Sequence, residues 1–370
     1  MTESRRYWVA FNRVLGIGPV RLRGLLDAFG DLETAWNASE VELRQAGLDA
    51  RSLANLMQAR ERMDLNEELD RIHAQGFHLI TWEDEAYPPR LLEVDAPPPV
   101  LYVWGEITPQ DRWAAAVVGT RRPTAYGIAV ARDLAAVLAA GGVTVVSGMA
   151  RGIDAAAHQA ALEVGGRTIA VLGSGLDRIY PPENRRLAER ISQSGAVVSD
   201  YPLGTAPESG NFPPRNRIIS GLSMAVVIVE AGEGSGALIT ADFAVEQGRE
   251  VFAVPGSIYQ GPSRGTNLLI RSGARPLVAL EDVLEALNLE AVARQEAVSE
   301  ALPQDDDEAR VLAALTSEPV HVDEVQARCG LPASQVSASL AMLELKGRAR
   351  QVGGMQYVRA REAPAEYRVE

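Results

Sequence analysis

The feature that most constrains this chain is a series of short apolar segments between residues 112 and 280, each followed by a polar or glycine-bearing turn. The segments are Ala114–Val118, Val143–Ser147, Thr168–Leu172, Ala196–Ser199, Ala225–Val229 and Glu250–Val254. Most are continuous apolar runs. A strand with one wet face would alternate, so these belong in a sheet covered on both faces. Ala125–Ala140 and Ala155–Val164 have the length and apolar spacing of crossover helices. Strands alternating with helices define a doubly wound, Rossmann-like α/β core with a parallel sheet.

Ligands of such sheets bind beyond the carboxyl ends of the strands. Four of those ends here carry glycine with hydroxyl or arginine residues. They are Gly119-Thr120-Arg121-Arg122, Ser147-Gly148-Met149-Ala150-Arg151-Gly152-Ile153-Asp154, Gly173-Ser174-Gly175 and Gly232-Glu233-Gly234-Ser235-Gly236-Ala237. Glycine lets a backbone approach a ligand, and a following helix N-terminus favours an anion. A tight strand-to-helix turn also needs glycine, so each turn alone is a weak signal. Their coincidence with Arg121, Arg151, Arg215 and Arg217 makes the set a candidate anion site. Gly232-x-Gly234-x-x-Ala237 matches a relaxed dinucleotide fingerprint, but the next strand ends Val254-Pro255-Gly256-Ser257 without the required acid. No nicotinamide or flavin cofactor is expected.

Charge points to the same region. Residues 1–111 hold 11 basic and 19 acidic side chains, residues 112–275 hold 16 and 13, and residues 276–370 hold 9 and 17. A basic middle lies between acidic flanks. Lys346 is the only lysine, and it precedes Gly347, so neither a Walker A loop nor a lysine Schiff base is expected. Phosphate recognition would use arginine forks, backbone N–H groups and hydroxyls. The four histidines and Cys329 have no metal-ligand spacing. Asp154 and His158 are spaced i,i+4 at a helix start, which suits either an acid–base pair or a helix-terminal carboxylate beside a packed imidazole.

The flanks read as separate blocks. Residues 1–75 carry helical periodicity with breaks at Gly30-Asp31 and Gly47-Leu48-Asp49, and Leu15-Gly16-Ile17-Gly18-Pro19-Val20-Arg21 has the form of a helix–hairpin–helix turn. Pro97-Pro98-Pro99 precedes a strand-like Val100–Trp104. The core spans 76–285 and an acidic linker, with Asp305-Asp306-Asp307, spans 286–308. Residues 309–360 read as helix, helix, turn, helix and β-hairpin, the parts of a winged helix. The recognition-helix candidate Ala333–Lys346 carries Ser334, Gln335, Ser337 and Ser339 but almost no cation, so weak DNA contact, a protein partner and internal packing all remain open. No apolar run reaches the roughly 18–20 residues of a membrane helix. Met1–Arg13 lacks a signal-peptide pattern and one cysteine cannot form an internal disulfide, so a cytoplasmic location is expected.

Val118-Gly119-Thr120-Arg121, the Ser147–Asp154 segment, Val171–Gly175, Phe212-Pro213-Pro214-Arg215-Asn216-Arg217-Ile218-Ile219-Ser220-Gly221-Leu222, Ser235–Thr240 and Val254-Pro255-Gly256 occur in that order. Together they make residues 70–275 resemble the DprA (Smf) family of DNA-processing proteins. The resemblance implies a Rossmann-like core that binds single-stranded DNA without sequence preference. It further implies protection of incoming DNA in natural transformation, loading of the RecA recombinase, a homodimer and no enzymatic activity. It makes the N-terminal block sterile-alpha-motif-like or helix–hairpin–helix and the C-terminal block winged-helix-like. Residue by residue, it places the DNA pocket on Gly119, Thr120, Arg121, Ser147, Gly148, Arg151, Phe212, Pro213, Arg215, Asn216 and Arg217. Pro214 stands where some relatives have a cation, so one phosphate contact is either missing or supplied by Arg122 or Arg178.

The residues themselves agree on mechanism. The arginines would neutralise phosphates while glycine N–H groups and hydroxyls hold the strand. Phe212 suits either base stacking or a core plug under the loop. Asn216 and Arg217 suit either DNA contact or a network that holds the loop. The competing class is a Rossmann-like enzyme such as a nucleoside-monophosphate phosphoribohydrolase. Its Pro-Gly-Gly-x-Gly-Thr stretch with a nearby glutamate is replaced here by Gly232-Glu233-Gly234-Ser235-Gly236.

Overall fold

A computed structural model of the chain describes residues 4–287, 306–316, 319–345 and 349–359. The backbone divides into two compact units, Met1–Leu287 and Asn288–Glu370. Most of the acidic linker expected at 286–308, and Lys346, lie outside the described residues.

The first unit is built on nine strands: β1 His78–Thr81, β2 Val100–Gly105, β3 Ala114–Val118, β4 Thr144–Ser147, β5 Thr168–Val171, β6 Ala196–Ser199, β7 Ala225–Ile228, β8 Glu250–Ala253 and β9 Arg275–Pro276. Their order is β1-β2-β6-β5-β4-β3-β7-β8-β9. β3 to β9 pair in parallel, and β1 and β2 extend the β6 edge as an antiparallel pair. The six core segments read from the sequence form strands within one residue of their expected limits. Every residue of β3, β4, β5, β6 and β7 is buried, as continuous apolar runs require. β1 and β9 were not expected; β1 holds only two apolar residues between His78 and Thr81, and β9 is the dipeptide Arg275-Pro276, so neither forms an apolar run.

From β3 the chain steps outward through β4, β5 and β6, then returns to the other side of β3 for β7, β8 and β9. β3 and β7 are therefore neighbours whose following helices diverge, and a crevice opens beyond their carboxyl ends. Helix Ala125–Ala140 leaves β3 after Thr124, whose Oγ1 accepts from the Gly127 N–H at 3.1 Å. Helix Gly236–Glu246 leaves the β7 turn after Ser235, whose hydroxyl accepts from the Ala237 N–H. Helix Phe212–Gly221 lies between β6 and β7.

Alternation along β2 shows how the sheet separates two cores. Val100 and Tyr102 join Trp8, Phe11 and Leu22 of the N-terminal helices. Leu101 and Val103 join Leu91, Ile218 and Ile219. Six helices fill residues 5–74, four of them with an aspartate or serine whose side chain caps the first turn: Asp31, Ser39, Asp49 and Asp64. Some of the acidity of this block is thus structural. At the hairpin-like turn, Arg21 bonds back to the Gly16 carbonyl, Ser52 and Asp49.

The second unit has helices Asp306–Ala314, Val322–Cys329 and Ala333–Leu345 and a small sheet of Val320–His321, Gln356–Arg359 and Ala349–Gly353, in that spatial order. Gly330, left-handed at φ +68°, ends the second helix. Cys329 is buried with Val325, Val336, Leu340 and Leu343. These are the elements of the winged helix expected from the sequence. Ser334, Gln335 and Ser337 are exposed on its third helix, whereas Ser339 is buried. Among the described residues no helix is long and apolar enough to cross a membrane.

Candidate functional site

An open pocket of about 810 Å³ occupies the crevice between β3 and β7. The turn after β3 supplies Gly119, Thr120, Arg121 and Arg122, and the turn after β7 supplies Gly232 to Ala237. Phe212, Pro213, Arg215 and Asn216 come from the first turns of helix Phe212–Gly221, and Tyr180 and Asp154 also line the pocket. Helix Gly236–Glu246 starts at this space, so the positive end of its dipole favours an anion there.

A buried carboxylate fixes the arginine-bearing turn. Glu230, 1% exposed, lies two residues past the end of β7. Its carbonyl accepts from the Thr120 N–H at 2.7 Å. Its carboxylate accepts from the Thr124 N–H at 2.9 Å and the Thr124 hydroxyl at 2.6 Å. Both ends of the turn are thereby tied to β7. Gly119 lies so close to it that a Cβ would sit 2.9 Å from the Glu230 carbonyl oxygen and 2.7 Å from Ile153. Neither Arg121 nor Arg122, both exposed, has a carboxylate partner among the described residues. The Arg121 guanidinium lies 5.2 Å from the centre of the Phe212 ring, within cation–π range. Tyr180 flanks the same ring, with centroids 5.8 Å apart.

The other arginines are committed elsewhere. Arg215 is 5% exposed and donates to the carbonyls of Gly148, at 2.9 Å, and Val171. Burial pulls its pKa down to about 10, with Asp154 opposing and Arg121 adding to that shift. Burial likewise raises the Asp154 carboxyl above its usual range, against the pull of Arg215. Gly148 separates the two: a Cβ there would lie 2.8 Å from both Arg215 Nη2 and Asp154 Oδ2. Arg217 is paired with Asp200 at 2.8 Å and does not line the pocket. Arg151 is exposed and paired with Glu183, also outside the pocket lining.

The residues expected from the sequence therefore divide. Gly119, Thr120, Arg121, Arg122, Phe212, Pro213, Arg215 and Asn216 meet at the pocket. Asn216 also holds the pocket wall, donating from Nδ2 to the Gly236 carbonyl at 3.2 Å. Ser147 is fully buried, its hydroxyl spent on the Val117 carbonyl at 2.7 Å. Gly148 acts beneath the surface as the seat of Arg215. Arg151 and Arg217 are turned to carboxylates, and exposed Arg178 is not part of the lining. Asp154 and His158 do not form an acid–base pair. His158 is fully buried with Nδ1 2.6 Å from Thr168 Oγ1, and burial together with Arg215 lowers its pKa to about 3.

Sequence reasoning missed Glu230, Tyr180 and Thr240. An acid directly after an apolar strand, at the turn carrying the glycines, was a usable sign of Glu230. Thr240 closes the Ser235–Thr240 motif and could have been added on that ground, whereas Tyr180 offered no sign, since it reaches the pocket only through the fold.

The fold and pocket define a Rossmann-like protein with a cationic, aromatic pocket at its switch point and an appended winged helix. Residues 78–288 match the family model described as DNA recombination-mediator protein A, and residues 295–355 match the DprA winged helix domain. The protein Smf of Synechocystis is 37% identical, over 96% of this chain and 99% of its own length. The crystal structure of DNA processing protein A from Streptococcus pneumoniae superposes with a TM-score of 0.67 at 34% identity, covering 76% of this chain and 97% of that one. The Helicobacter pylori protein, described for its single-stranded DNA binding mode, gives 0.53 at 32%, covering 58% and 97%. The chain belongs to the DprA/Smf family.

Proposed function

We propose that this protein binds single-stranded DNA without sequence preference in the pocket between β3 and β7. Through that binding it protects incoming DNA in natural transformation and loads the RecA recombinase, acting as a homodimer. The observation that carries the DNA reading is Arg121, a guanidinium with no carboxylate partner among the described residues, held over the Phe212 ring in a glycine-lined pocket. A phosphate meets the cation and the adjoining N–H groups, while the neighbouring base has an aromatic face to stack on. Stacking tolerates any base, and a duplex hides its base faces, so the combination favours single strands. The H. pylori relative's single-stranded DNA binding supports the reading. Recombinase loading and the homodimer rest on family membership.

The phosphoribohydrolase alternative needs a carboxylate free to act on a substrate near the β7 turn. Glu230 is buried and engaged by Thr124 through both oxygens, so exposed Glu233 is the carboxylate left to that reading, and it stands outside the Pro-Gly-Gly-x-Gly-Thr pattern. Fluorescence anisotropy with labelled single-stranded and duplex oligonucleotides, on wild type and Arg121→Ala, tests the proposal. Single-strand preference that weakens in the variant is expected. Equal binding by both proteins places the site elsewhere, and base release from AMP would favour the enzyme.

A further inference from the structure

Beside the pocket lies a surface that the pocket itself does not use. After β8 the chain is anchored at Gly256, whose N–H donates to Asn267 Oδ1 at 3.2 Å and whose carbonyl accepts from Asn267 Nδ2 at 3.0 Å. It then makes a tight turn closed by the Gln260 N–H on the Ser257 carbonyl at 3.1 Å. Ile258 and Tyr259 hold the two central positions, 72% and 89% exposed. Such positions usually carry glycine, proline, asparagine, aspartate or serine. Tyr126, 51% exposed, reaches the same loop, its hydroxyl donating to the Pro255 carbonyl at 3.2 Å. One exposed apolar side chain is ordinary. Three on one anchored loop and the residue bonded to it form a patch.

The patch adjoins the pocket on two sides. Tyr126 lies in the first turn of helix Ala125–Ala140, directly after the turn that carries Arg121 and Arg122. The turn after β7, which forms the pocket wall, is tied to the far end of the Tyr259 loop. Ala231 N–H donates to the Pro262 carbonyl, and Gly265 N–H to the Ala231 carbonyl, both at 2.8 Å. Arg122 and Arg264, on these two sides, are exposed and have no carboxylate partner among the described residues.

We propose that Tyr126, Ile258 and Tyr259 form a second stacking platform, which takes the nucleotides of a single strand as it leaves the pocket past Arg122, with Arg264 along its phosphates. The proposal rests on the pocket being a single-stranded DNA site. Its occupant follows from continuity with that pocket and from the exposed cations, Arg122 and Arg264, on the segments that flank the patch. Two tyrosine faces and an isoleucine serve unpaired bases of any sequence.

Anisotropy titrations with oligothymidylates of about 4, 8, 12 and 16 nucleotides, the range of single-strand site sizes, test it on wild type, Tyr259→Ala and Tyr259→Trp. Tyr259 is almost wholly exposed, and thermal melting checks that the variants fold. The expected result is equal affinity for the shortest oligomer and at least about fivefold weaker binding of the longer ones by Tyr259→Ala, restored by Tyr259→Trp. A wild type that binds while Tyr259→Ala matches it at every length overturns the platform alone. A wild type that binds no oligomer overturns the pocket reading and the platform with it. Sedimentation of the free proteins supplies a third outcome: a fall in mass in Tyr259→Ala would make the patch an interface between copies and overturn the proposal.

Discussion

Counting arginines at the pocket gives a salt dependence that can be measured. Each phosphate neutralised on a single strand contributes about −0.7 to the slope of log K against log salt. If Arg121, Arg122, Arg151, Arg215 and Arg217 all met phosphates, the slope would be about −3.5. Among the described residues Arg121 and Arg122 have no carboxylate partner, Arg215 is buried on two carbonyls, and Arg151 and Arg217 are paired with Glu183 and Asp200. The expected slope for an oligomer too short to leave the pocket is therefore about −1.4. Arg121→Ala should halve it to about −0.7, which is about fivefold in affinity for each tenfold change in salt. Loss of the cation over Phe212 adds about 0.5–1 kcal/mol that does not depend on salt in this way. Arg151→Ala should leave the slope unchanged. The assay is a series of binding isotherms between about 0.05 and 0.5 M salt, where screening changes most. A wild-type slope near −3.5, or a shallower slope in Arg151→Ala, would refute the assignment of these arginines.

Three further outcomes follow from groups around the pocket. Arg217→Ala leaves the Asp200 carboxylate without its cation in a mostly buried site, so it should cost about 3 kcal/mol or more in urea denaturation; an unchanged midpoint would mean that the pair is idle. Gly127→Ala places a Cβ 2.3 Å from Glu230 Oε2 and should displace the carboxylate from Thr124. Both melting temperature and oligonucleotide affinity should then fall, and a fall in neither would show that Glu230 does not hold the Arg121 turn. His158, lowered to about 3 in the folded protein, is protonated first in the unfolded chain. Its stabilising contribution is complete above the unfolded value of about 6.5 and is lost as pH falls, by about 2 kcal/mol at pH 5. The buried Asp154 and Asp200 carboxyls, raised by burial, act in the opposite direction. They are common to wild type and His158→Gln, so the comparison isolates the imidazole. Equal losses between pH 7 and pH 5 in the two proteins would contradict this account.

What could be read before the structure was whatever the chain encodes locally. Helix Ala125–Ala140 has its observed limits in the sequence because Thr124 caps one end and Gly141 follows the other. The core strands could be read because both faces are buried and no polar residue interrupts them. What the arginines do could not be read, because each is decided by a partner far along the chain. Arg151 meets Glu183, Arg217 meets Asp200, and Arg215 meets carbonyls of β5 and of the turn after β4. From sequence these side chains, with Arg121, are equivalent cations near glycines. In the fold, three are spent on structure and Arg121 is left over an aromatic ring.

That division bears on how an acidic protein can hold DNA. The chain carries a formal charge of −13, so long-range attraction to a polyanion is weak or unfavourable. Affinity must then come from short-range terms: a few unpaired guanidiniums, N–H groups at a helix start and aromatic faces. Such a surface gains little from a duplex, which offers dense charge but no base faces. It gains more from a flexible single strand, which can bring phosphates to Arg121 and Arg122 and bases to Phe212 together. On the proposed function, a preference for single strands would follow from having few free cations rather than many. Adding cations should erode it. Replacing Glu233, exposed on the pocket rim, with lysine should strengthen duplex binding proportionately more than single-strand binding, measured as the ratio of the two affinities at one salt concentration. A ratio that stays constant, or rises in favour of single strands, would show that stacking and shape set the preference without help from the scarcity of charge.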